Sequence, residues 1–179
     1  NMLRQLMKER NIDAYIVPSS DNHQSEYVGD YFKAREFITG FTGSAGTAVI
    51  TQTEAGLWTD GRYFIQAENE LAGSGIKLYK MGNPDVPTVE EYLEAALPEN
   101  GVLGFDGRVI AMSKGKEYAE KFAYKNVQIE ATFDLIDSIW SNRPSMSENP
   151  VFLLDDNYTG ESTASKLERV REEMRKAKA

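Results

Sequence analysis

Short apolar runs alternate with amphipathic segments along most of this chain, and this alternation is the strongest constraint on its fold. The apolar runs have the length of β-strands and lie at residues 14–17, 47–51, 57–59, 76–81, 102–105, 109–112 and 127–131. Helical patterns lie around and between them, at residues 2–10, 27–38, 61–71, 88–97, 113–125 and 133–140. Alternating strands and helices predict an α/β domain with one central sheet flanked by helices.

A β-hairpin is predicted where the second and third strands are joined by a turn at residues 54–56. Because a hairpin pairs its strands antiparallel, the central sheet is expected to be mixed rather than purely parallel. A glycine cluster, Gly40, Gly43 and Gly46, precedes the hairpin, and the run WTDGRYF at 58–64 follows it. Since only short connections intervene, we expect both segments to lie together at one end of the sheet.

Charged residues are predicted at the same end. Asp60 follows the third strand, and its carboxylate is suited to accept from the open backbone amides of a helix that starts at Gly61. Arg62 would then project from the first turn of that helix. Arg35 can approach the same end if the helix at 27–38 packs there.

The composition changes beyond this domain. Residues 141–150 (SNRPSMSENP) are rich in Ser, Asn and Pro, which is typical of a linker. Residues 151–154 form one more apolar run, predicted as a strand, and 162–178 a highly charged helix with a narrow apolar seam. One strand and one helix cannot bury their own apolar faces. We therefore predict a domain at 1–140, a linker, and the truncated start of a second domain at 151–179.

Charge and composition exclude several classes of protein. Lys and Arg number 20 against 28 Asp and Glu, for a net charge of −8. Because phosphate backbones are bound by clustered basic side chains, nucleic acid is not an expected partner. No apolar run approaches the roughly 20 residues of a membrane span, and the absence of cysteine excludes disulfides and thiolate metal sites. A cytoplasmic protein without membrane association is expected.

His23 is the only histidine and lies between Asp21 and Glu26 in a polar loop. A metal site of this histidine and neighbouring carboxylates is conceivable. However, the histidine has no ligand partner at helical spacing, and a loop histidine is the simpler interpretation. Ser44 could join it in a catalytic triad, but the segment GSAG at 43–46 lacks the G-x-S-x-G pattern and its strand–turn–helix context.

The glycine cluster and two carboxylate pairs also have simpler explanations than a catalytic or binding role. The spacing G-x-x-G-x-x-G lacks the Lys-Ser/Thr of a phosphate-binding loop and precedes a strand, so backbone freedom is the favoured explanation. The pairs Asp134/Asp137 and Asp155/Asp156 lie on a predicted helix and in a turn, where nothing in the sequence would raise a pKa. We predict no catalytic residue and no metal ligand in this chain.

Arg35, Asp60 and Arg62 are better candidates for a functional role. They stand beside aromatic residues and glycines, where a charge is held either for an internal ion pair or for a ligand carboxylate. Both interpretations remain open at the level of sequence. Together with His23, these residues are our candidates for contact with a substrate or with another protein surface.

A series of short motifs follows one another along the chain. They are PSSD (18–21), HQSEY (23–27), Arg35, GF (40–41), GSAGTA (43–48), WTDGRYF (58–64), MG (81–82), IW (139–140), RP (143–144) and DNYTG (156–160). This order resembles the N-terminal domain of the Xaa-Pro aminopeptidases (aminopeptidase P) of the creatinase/prolidase group, in their three-domain subfamily. The resemblance runs from about Ala14 to the end of the chain.

The resemblance implies a mixed sheet flanked by helices, in a domain that packs over the catalytic cleft and contributes to homodimer contacts. Members of the family hydrolyse the bond between an N-terminal residue and a following proline, using two Mn²⁺ or similar ions that activate water. Their five metal ligands lie in a C-terminal domain, and none maps onto this sequence. The resemblance therefore assigns the metal ions and the proline-containing peptide substrate to the parent enzyme. In that parent, His23, Arg35, Asp60 and Arg62 would face the missing catalytic domain or the second subunit.

Two functional classes follow from these observations. The first is the non-catalytic N-terminal domain of a metal-dependent Xaa-Pro aminopeptidase. The second is a free-standing peptide-binding or interaction module that reuses the fold. The end of the chain on an unpaired charged helix favours the first.

Overall fold

The computed structural model describes residues 1–178, in which six strands form one mixed sheet with helices on both faces. The strands are β1 (Ala14–Pro18), β2 (Thr47–Thr51), β3 (Ala55–Thr59), β4 (Lys77–Lys80), β5 (Val102–Phe105) and β6 (Gln128–Glu130). The α-helices are α1 (Met2–Glu9), α2 (Ala34–Thr39), α3 (Phe64–Glu70), α4 (Val89–Ala96), α5 (Met112–Lys121), α6 (Asp156–Thr159) and α7 (Thr163–Ala177). The predicted α/β class with a mixed central sheet is confirmed.

One strand of the sheet runs against the others. The order across the sheet is β4-β3-β2-β1-β5-β6, and β2 pairs antiparallel with both β1 and β3. The pairs β1–β5, β3–β4 and β5–β6 are parallel. The carboxyl ends of five strands therefore meet at one edge of the sheet, where β2 begins. We call this the carboxyl edge.

Each face of the sheet carries its own apolar core, because side chains alternate along each strand. In β1, Tyr15 and Val17 contribute to the core under α1 to α3, and Ala14 and Ile16 contribute to the core under α4 and α5. The first core also holds Leu3, Met7, Ile12, Phe41, Ala48, Ile50, Leu57, Ala67, Leu71, Leu135 and Ile136. The second also holds Val49, Trp58, Tyr79, Leu93, Leu97, Leu103, Phe105, Tyr118 and Phe122. Burial on both faces explains why β1 is uniformly apolar.

Several local predictions are confirmed. The hairpin joins β2 to β3 with Thr47 opposite Trp58. The helix predicted over 88–97 is present as α4 and begins with a capping box: the Glu91 amide donates to Thr88 Oγ1 over 3.2 Å, and the Thr88 amide donates to Glu91 Oε2 over 2.8 Å. The strands expected at 76–81 and 127–131 are present in slightly shorter form as β4 and β6.

The helix predicted over 27–38 begins later than expected. A short 3-10 turn at Asp30–Phe32 comes first, and α2 starts only at Ala34. Gly29 is extended, and the turn ends at Lys33, whose ψ of 34° departs from helical values. Gly40 ends α2 in the left-handed conformation, with φ of 73°, which is a use of the backbone freedom predicted for the glycine cluster.

The strand predicted at 109–112 is absent from the described residues. Val109 donates its amide to the Asp106 carbonyl over 3.1 Å, which closes a turn directly after β5. Both neighbours of β5 are already in place, since β1 and β6 flank it. The apolar run therefore packs at the end of the sheet instead of pairing. The next helix, predicted from residue 113, begins at Met112 and has no side-chain cap.

The helix predicted over 133–140 is replaced by consecutive turns. Backbone amides that would donate to carbonyls within a helix donate here to side-chain oxygens. Asp134 Oδ1 accepts from the amides of Ile136 and Asp137, and the Tyr15 hydroxyl accepts from the Leu135 amide over 3.1 Å. Leu135 and Ile136 of this segment are nonetheless buried, whereas Phe133 is 38% exposed.

The chain divides into two compact units, Asn1–Met146 and a second that begins at Ser147. Within the described part of the second unit, the strand predicted at 151–154 is wrong. Its four side chains are 58–95% exposed, and no strand pairs with it. The charged helix is confirmed as α7, whose N-cap Ser162 accepts from the Ser165 amide over 3.2 Å. A short helix, α6, precedes it, so this unit contains two helices rather than a strand and a helix.

Replacing Tyr15 by phenylalanine should destabilise the chain. Its hydroxyl is buried, donates to the Phe133 carbonyl over 2.7 Å and accepts from the Leu135 amide. Burial raises the pKa of this phenol well above its usual value. Because Tyr15→Phe leaves two backbone groups without their partner, the free energy of unfolding should fall by roughly 1–3 kcal/mol in urea titrations. Tyr124→Phe is the control, since that ring is 66% exposed, and an equal loss in both variants would contradict the assignment.

Candidate functional site

The glycine turn, residues 40–46, and the run at 58–64 lie side by side at the carboxyl edge, as the sequence predicted. The Thr59 hydroxyl donates to the Ala45 carbonyl over 2.6 Å, and the hydroxyls of Ser44 and Tyr63 are 2.7 Å apart. The loop after β1 joins them, since the Ser19 amide donates to the Gly46 carbonyl over 2.9 Å. This edge is the candidate functional surface.

Asp60 and Arg62 form a closed local pair at this edge. The Asp60 Oδ1 accepts from the Arg62 amide over 3.0 Å and from its Nε over 2.9 Å, while Oδ2 accepts from Nη2 over 2.9 Å. The predicted helix cap is therefore wrong: α3 begins at Phe64 with Tyr63 at its N-cap, and Asp60 closes the turn before it. Instead of capping the helix, the Asp60 carboxylate accepts from the backbone and side chain of Arg62, two residues later.

The electrostatics of this pair stabilise its charges. Hydrogen bonds from the Arg62 side chain hold the pKa of Asp60 below its usual value, and the same bonds raise the pKa of Arg62. The Arg62 side chain remains 60% exposed, with Glu26 Oε1 at 3.7 Å from Nη1. A general acid at neutral pH needs a raised carboxyl pKa, so Asp60 is suited to binding rather than to proton transfer.

Arg35 lies beneath the same surface and is only 5% exposed. Its Nε donates to Ser19 Oγ over 3.0 Å, Nη1 donates to the Phe41 carbonyl, and Nη2 donates to the Gly43 carbonyl. Among the described residues no carboxylate lies within ion-pair distance of it, and burial lowers its pKa to about 10. Arg35 therefore supports the glycine turn from within and is not presented to a partner.

Glu70 holds the same turn from α3, and sequence reasoning missed it. Its Oε2 accepts from the Thr42 amide over 2.8 Å, and its Oε1 accepts from the Thr42 hydroxyl over 2.7 Å. Gln66, one turn earlier on the helix, donates to the Thr42 hydroxyl over 2.8 Å. Burial alone would raise the pKa of Glu70, but the bonds from Thr42 outweigh it and lower that pKa. The i, i+4 spacing of Gln66 and Glu70 was the available signal.

His23 is exposed in the loop after β1, while its neighbour Asp21 is buried. Asp21 Oδ1 accepts from the amides of Ser25, over 2.9 Å, and His23, over 2.8 Å. These bonds, that of Ser25 foremost, lower the pKa of Asp21. Asp21 thus orders the loop, and the imidazole of His23 is displayed on it.

Two open depressions flank this part of the carboxyl edge. One, of about 450 Å³, lies between the loop after β1 and the start of α5, where strand order reverses between β1 and β5. The other, of about 320 Å³, lies over Arg35. Both are lined in part by Ser19, Glu26 and Ser44, which form the ridge between them. In open α/β sheets, ligands favour the carboxyl ends of strands at such a reversal.

Ser44 and the pair Asp134/Asp137 have structural partners. Ser44 pairs with Tyr63, and the carboxylates Asp134 and Asp137 bind Arg143 at 2.5 and 3.1 Å. Arg108 also binds Asp134, over 2.7 Å. The network of Arg108 and Arg143 was missed by sequence reasoning, although its first member lies in an Asp-Gly-Arg tripeptide that repeats the one at 60–62.

A family model described as the creatinase/prolidase N-terminal domain matches residues 1–139, and a second model with that description matches 142–179. The chain belongs to the creatinase/prolidase N-terminal domain family. Both matches agree with the resemblance drawn from the motifs.

Curated relatives and a solved structure place the chain more narrowly. It is 44% identical over 178 residues to a probable Xaa-Pro aminopeptidase P of Coprinopsis cinerea, covering 98% of this chain and 28% of that protein. It is 42% identical to aminopeptidase P2 of Arabidopsis thaliana, covering 96% of this chain and 25% of that protein. The X-prolyl aminopeptidase of Caenorhabditis elegans, described as a cytosolic enzyme with a di-nuclear active site, superposes with a TM-score of 0.82 at 38% identity, covering 94% of this chain and 28% of that one. The chain thus spans little more than a quarter of these relatives.

A more distant structure shows the fold alone. An Xaa-Pro aminopeptidase structure from Streptococcus pyogenes has a TM-score of 0.57 at 22% identity and covers 77% of this chain and 92% of its own. The mixed sheet with helices on both faces is therefore a shared architecture.

The residues present do not fit a two-metal centre. Within residues 1–178, no three His, Cys, Asp or Glu side chains come together in a way that could hold a metal ion. Nor does any helix in this part of the chain combine the length and the apolar character that crossing a membrane requires.

The two arginines of the carboxyl edge should respond differently to truncation. Arg35→Ala removes the donors of two carbonyls in the glycine turn and should lower the free energy of unfolding by roughly 2–4 kcal/mol. Arg62→Ala should leave the unfolding curve of the chain where it is, because that side chain is exposed. Thermal and urea unfolding of the two variants, compared with the parent chain, test this. If the Arg62 variant lost as much stability as the Arg35 variant, both assignments would be wrong.

Proposed function

We propose that this chain is the non-catalytic N-terminal region of a metal-dependent Xaa-Pro aminopeptidase, and that its carboxyl edge covers the active site and takes part in dimer contacts. The observation that carries the proposal is the identity of more than 40% to such enzymes along nearly the whole chain, over only about a quarter of their length. The metal pair, Mn²⁺ or similar ions, would then be held by the part of the enzyme that this chain does not match. The cytosol is the proposed location, as for the Caenorhabditis elegans enzyme.

The geometry of the carboxyl edge supports a covering role rather than a chemical one. Arg62, Glu26 and His23 are exposed. The buried Asp21 orders the loop that carries His23 and Glu26, while Arg35 and Glu70 hold the adjacent glycine turn. Interfaces need polar groups held in fixed positions, because ordering them on binding costs free energy. The proposed partners are the catalytic region of the same enzyme, a second subunit, and the proline-containing peptide bound between them.

The isolated chain should not hydrolyse Xaa-Pro peptides. Two-metal hydrolysis requires a cluster of ligands to activate water, and the described residues do not form one. The measurement is the release of the N-terminal residue from an Xaa-Pro peptide by the purified 179-residue chain in excess Mn²⁺. Turnover that persists after removal of contaminating peptidases would overturn the non-catalytic assignment.

In a full-length enzyme that contains this chain, Arg62→Ala should reduce kcat/KM for an Xaa-Pro peptide, weaken the dimer, or both. The reason is that Arg62 offers guanidinium donors at the proposed contact while contributing little to its own domain. Peptide hydrolysis and sedimentation of the same preparation measure the two effects.

A matched control for this test is Arg4→Ala. Arg4 Nε donates to the Thr51 carbonyl over 2.8 Å, at the opposite edge of the sheet. If Arg62→Ala left both activity and dimer unchanged, the carboxyl edge would not be the contact surface. Binding of Xaa-Pro peptides by the isolated chain would then favour an independent peptide-binding module.

A further inference from the structure

The glycine turn has no regular secondary structure between Gly40 and Gly43, so side chains hold its backbone. Arg35 binds the carbonyls of Phe41 and Gly43, and Glu70 binds the amide of Thr42 between them. Three consecutive residues are thus held alternately from α2 and from α3.

The side chains that hold the turn differ in burial: Arg35 of α2 is buried, and Glu70 of α3 is not. Thr42 is exposed, and the Glu70 carboxylate reaches Thr42 at the surface. An exposed amide would ordinarily exchange with water freely. We therefore expect protection of the Thr42 amide to depend on its hydrogen bond to Glu70 rather than on burial.

The glycine turn also positions Ser44, which belongs to the ridge between the two depressions. Ser44 directly follows the held segment, lies 2.7 Å from the Tyr63 hydroxyl, and lines both depressions. Tyr63 immediately precedes α3, the helix that carries Glu70. Tyr63 stands at the N-terminus of α3, and Glu70 of the same helix holds the turn that leads to Ser44. The position of α3 therefore affects both hydroxyl groups.

We propose that Glu70 is a positioning residue which, together with Arg35, holds residues 41–43 so that Ser44 and Tyr63 keep their places on the carboxyl edge. The functional consequence rests on the proposed function: in the full-length enzyme, loosening this turn impairs the contact made by the edge although Glu70 itself touches no substrate. Gln66 assists by donating to the Thr42 hydroxyl and to Glu70 Oε1, over 2.8 and 3.1 Å.

The first arm of the test measures amide hydrogen exchange in the 179-residue chain. Glu70→Ala should accelerate exchange of the Thr42 amide roughly tenfold to a hundredfold, as expected for loss of a hydrogen bond to a charged acceptor. Glu70→Gln keeps a carbonyl acceptor and should restore most of the protection. Glu68→Ala is the matched control, since Glu68 lies on the same helix but pairs with Lys80 at the surface. Unchanged exchange in Glu70→Ala would overturn the proposal outright.

The second arm measures kinetics in a full-length enzyme that contains this chain. Glu70→Ala should lower kcat/KM for an Xaa-Pro peptide several-fold, Glu70→Gln should recover much of it, and Glu68→Ala should match the parent. Melting temperatures of all three variants establish that each is folded, and Glu70→Gln, which preserves size and shape, carries the test if the alanine variant unfolds.

The outcomes separate this proposal from the proposed function. Faster exchange with unchanged kinetics would overturn the positioning role if Arg62→Ala in the same enzyme does reduce activity. If neither Arg62→Ala nor Glu70→Ala affects the enzyme or its dimer, the proposed function fails, and the consequence for catalysis fails with it. Loss of activity in Glu70→Ala without rescue by Glu70→Gln, and with equal loss in Glu68→Ala, would indicate general destabilisation of α3 and also overturn the proposal.

Discussion

A guanidinium buried without a counter-ion within reach must have its donors satisfied by neutral oxygens, and this requirement organises the carboxyl edge around Arg35. The acceptors come from the loop after β1 and from two carbonyls of the turn that leads into β2. Because β2 is the one strand that runs against its neighbours, the chain must reverse direction at this point. Arg35 joins the end of β1 to the start of β2 and so fixes that reversal.

The same edge shows how a rigid sheet can display irregular segments in defined places. Segment 40–46 and the loop after β1 are held by side-chain bonds to backbone groups from Arg35, Glu70 and Asp21, each of which satisfies more than one partner. Ordering these segments before any contact removes a cost that binding would otherwise incur. The exposed groups nearby are charged or hydroxylated, which suits the rim of a protein contact more than its apolar centre.

Elements that depend on local periodicity or on glycine could be predicted from the sequence. Elements that depend on tertiary packing partners could not. β1, the hairpin, α4 with its Thr88 cap and α7 follow from local pattern. The apolar runs at 109–112 and 151–154 found no strand to pair with, which no local pattern records. At the candidate surface, the meeting of the glycine turn with 58–64 followed from the hairpin. The burial of Arg35 and the role of Glu70 did not, because they depend on how α2 and α3 pack.

The two Asp-Gly-Arg turns show most clearly which arginine contacts depend on the local sequence and which depend on tertiary packing. In each, directly after β3 or β5, the aspartate accepts from the arginine amide at 3.0 Å and from its guanidinium at 2.8–3.2 Å. Yet Arg108 also donates to Asp134 and to Tyr31, whereas the further charged group near Arg62 is Glu26, whose Oε1 lies 3.7 Å from Nη1. The tripeptide sets the orientation of the guanidinium. The surrounding segments determine whether its remaining N–H donors bind other groups of the same domain. After β5 these donors join segments of one domain, whereas after β3 they are left at the surface. For that reason the turn at 60–62, and not the turn at 106–108, belongs to the candidate site.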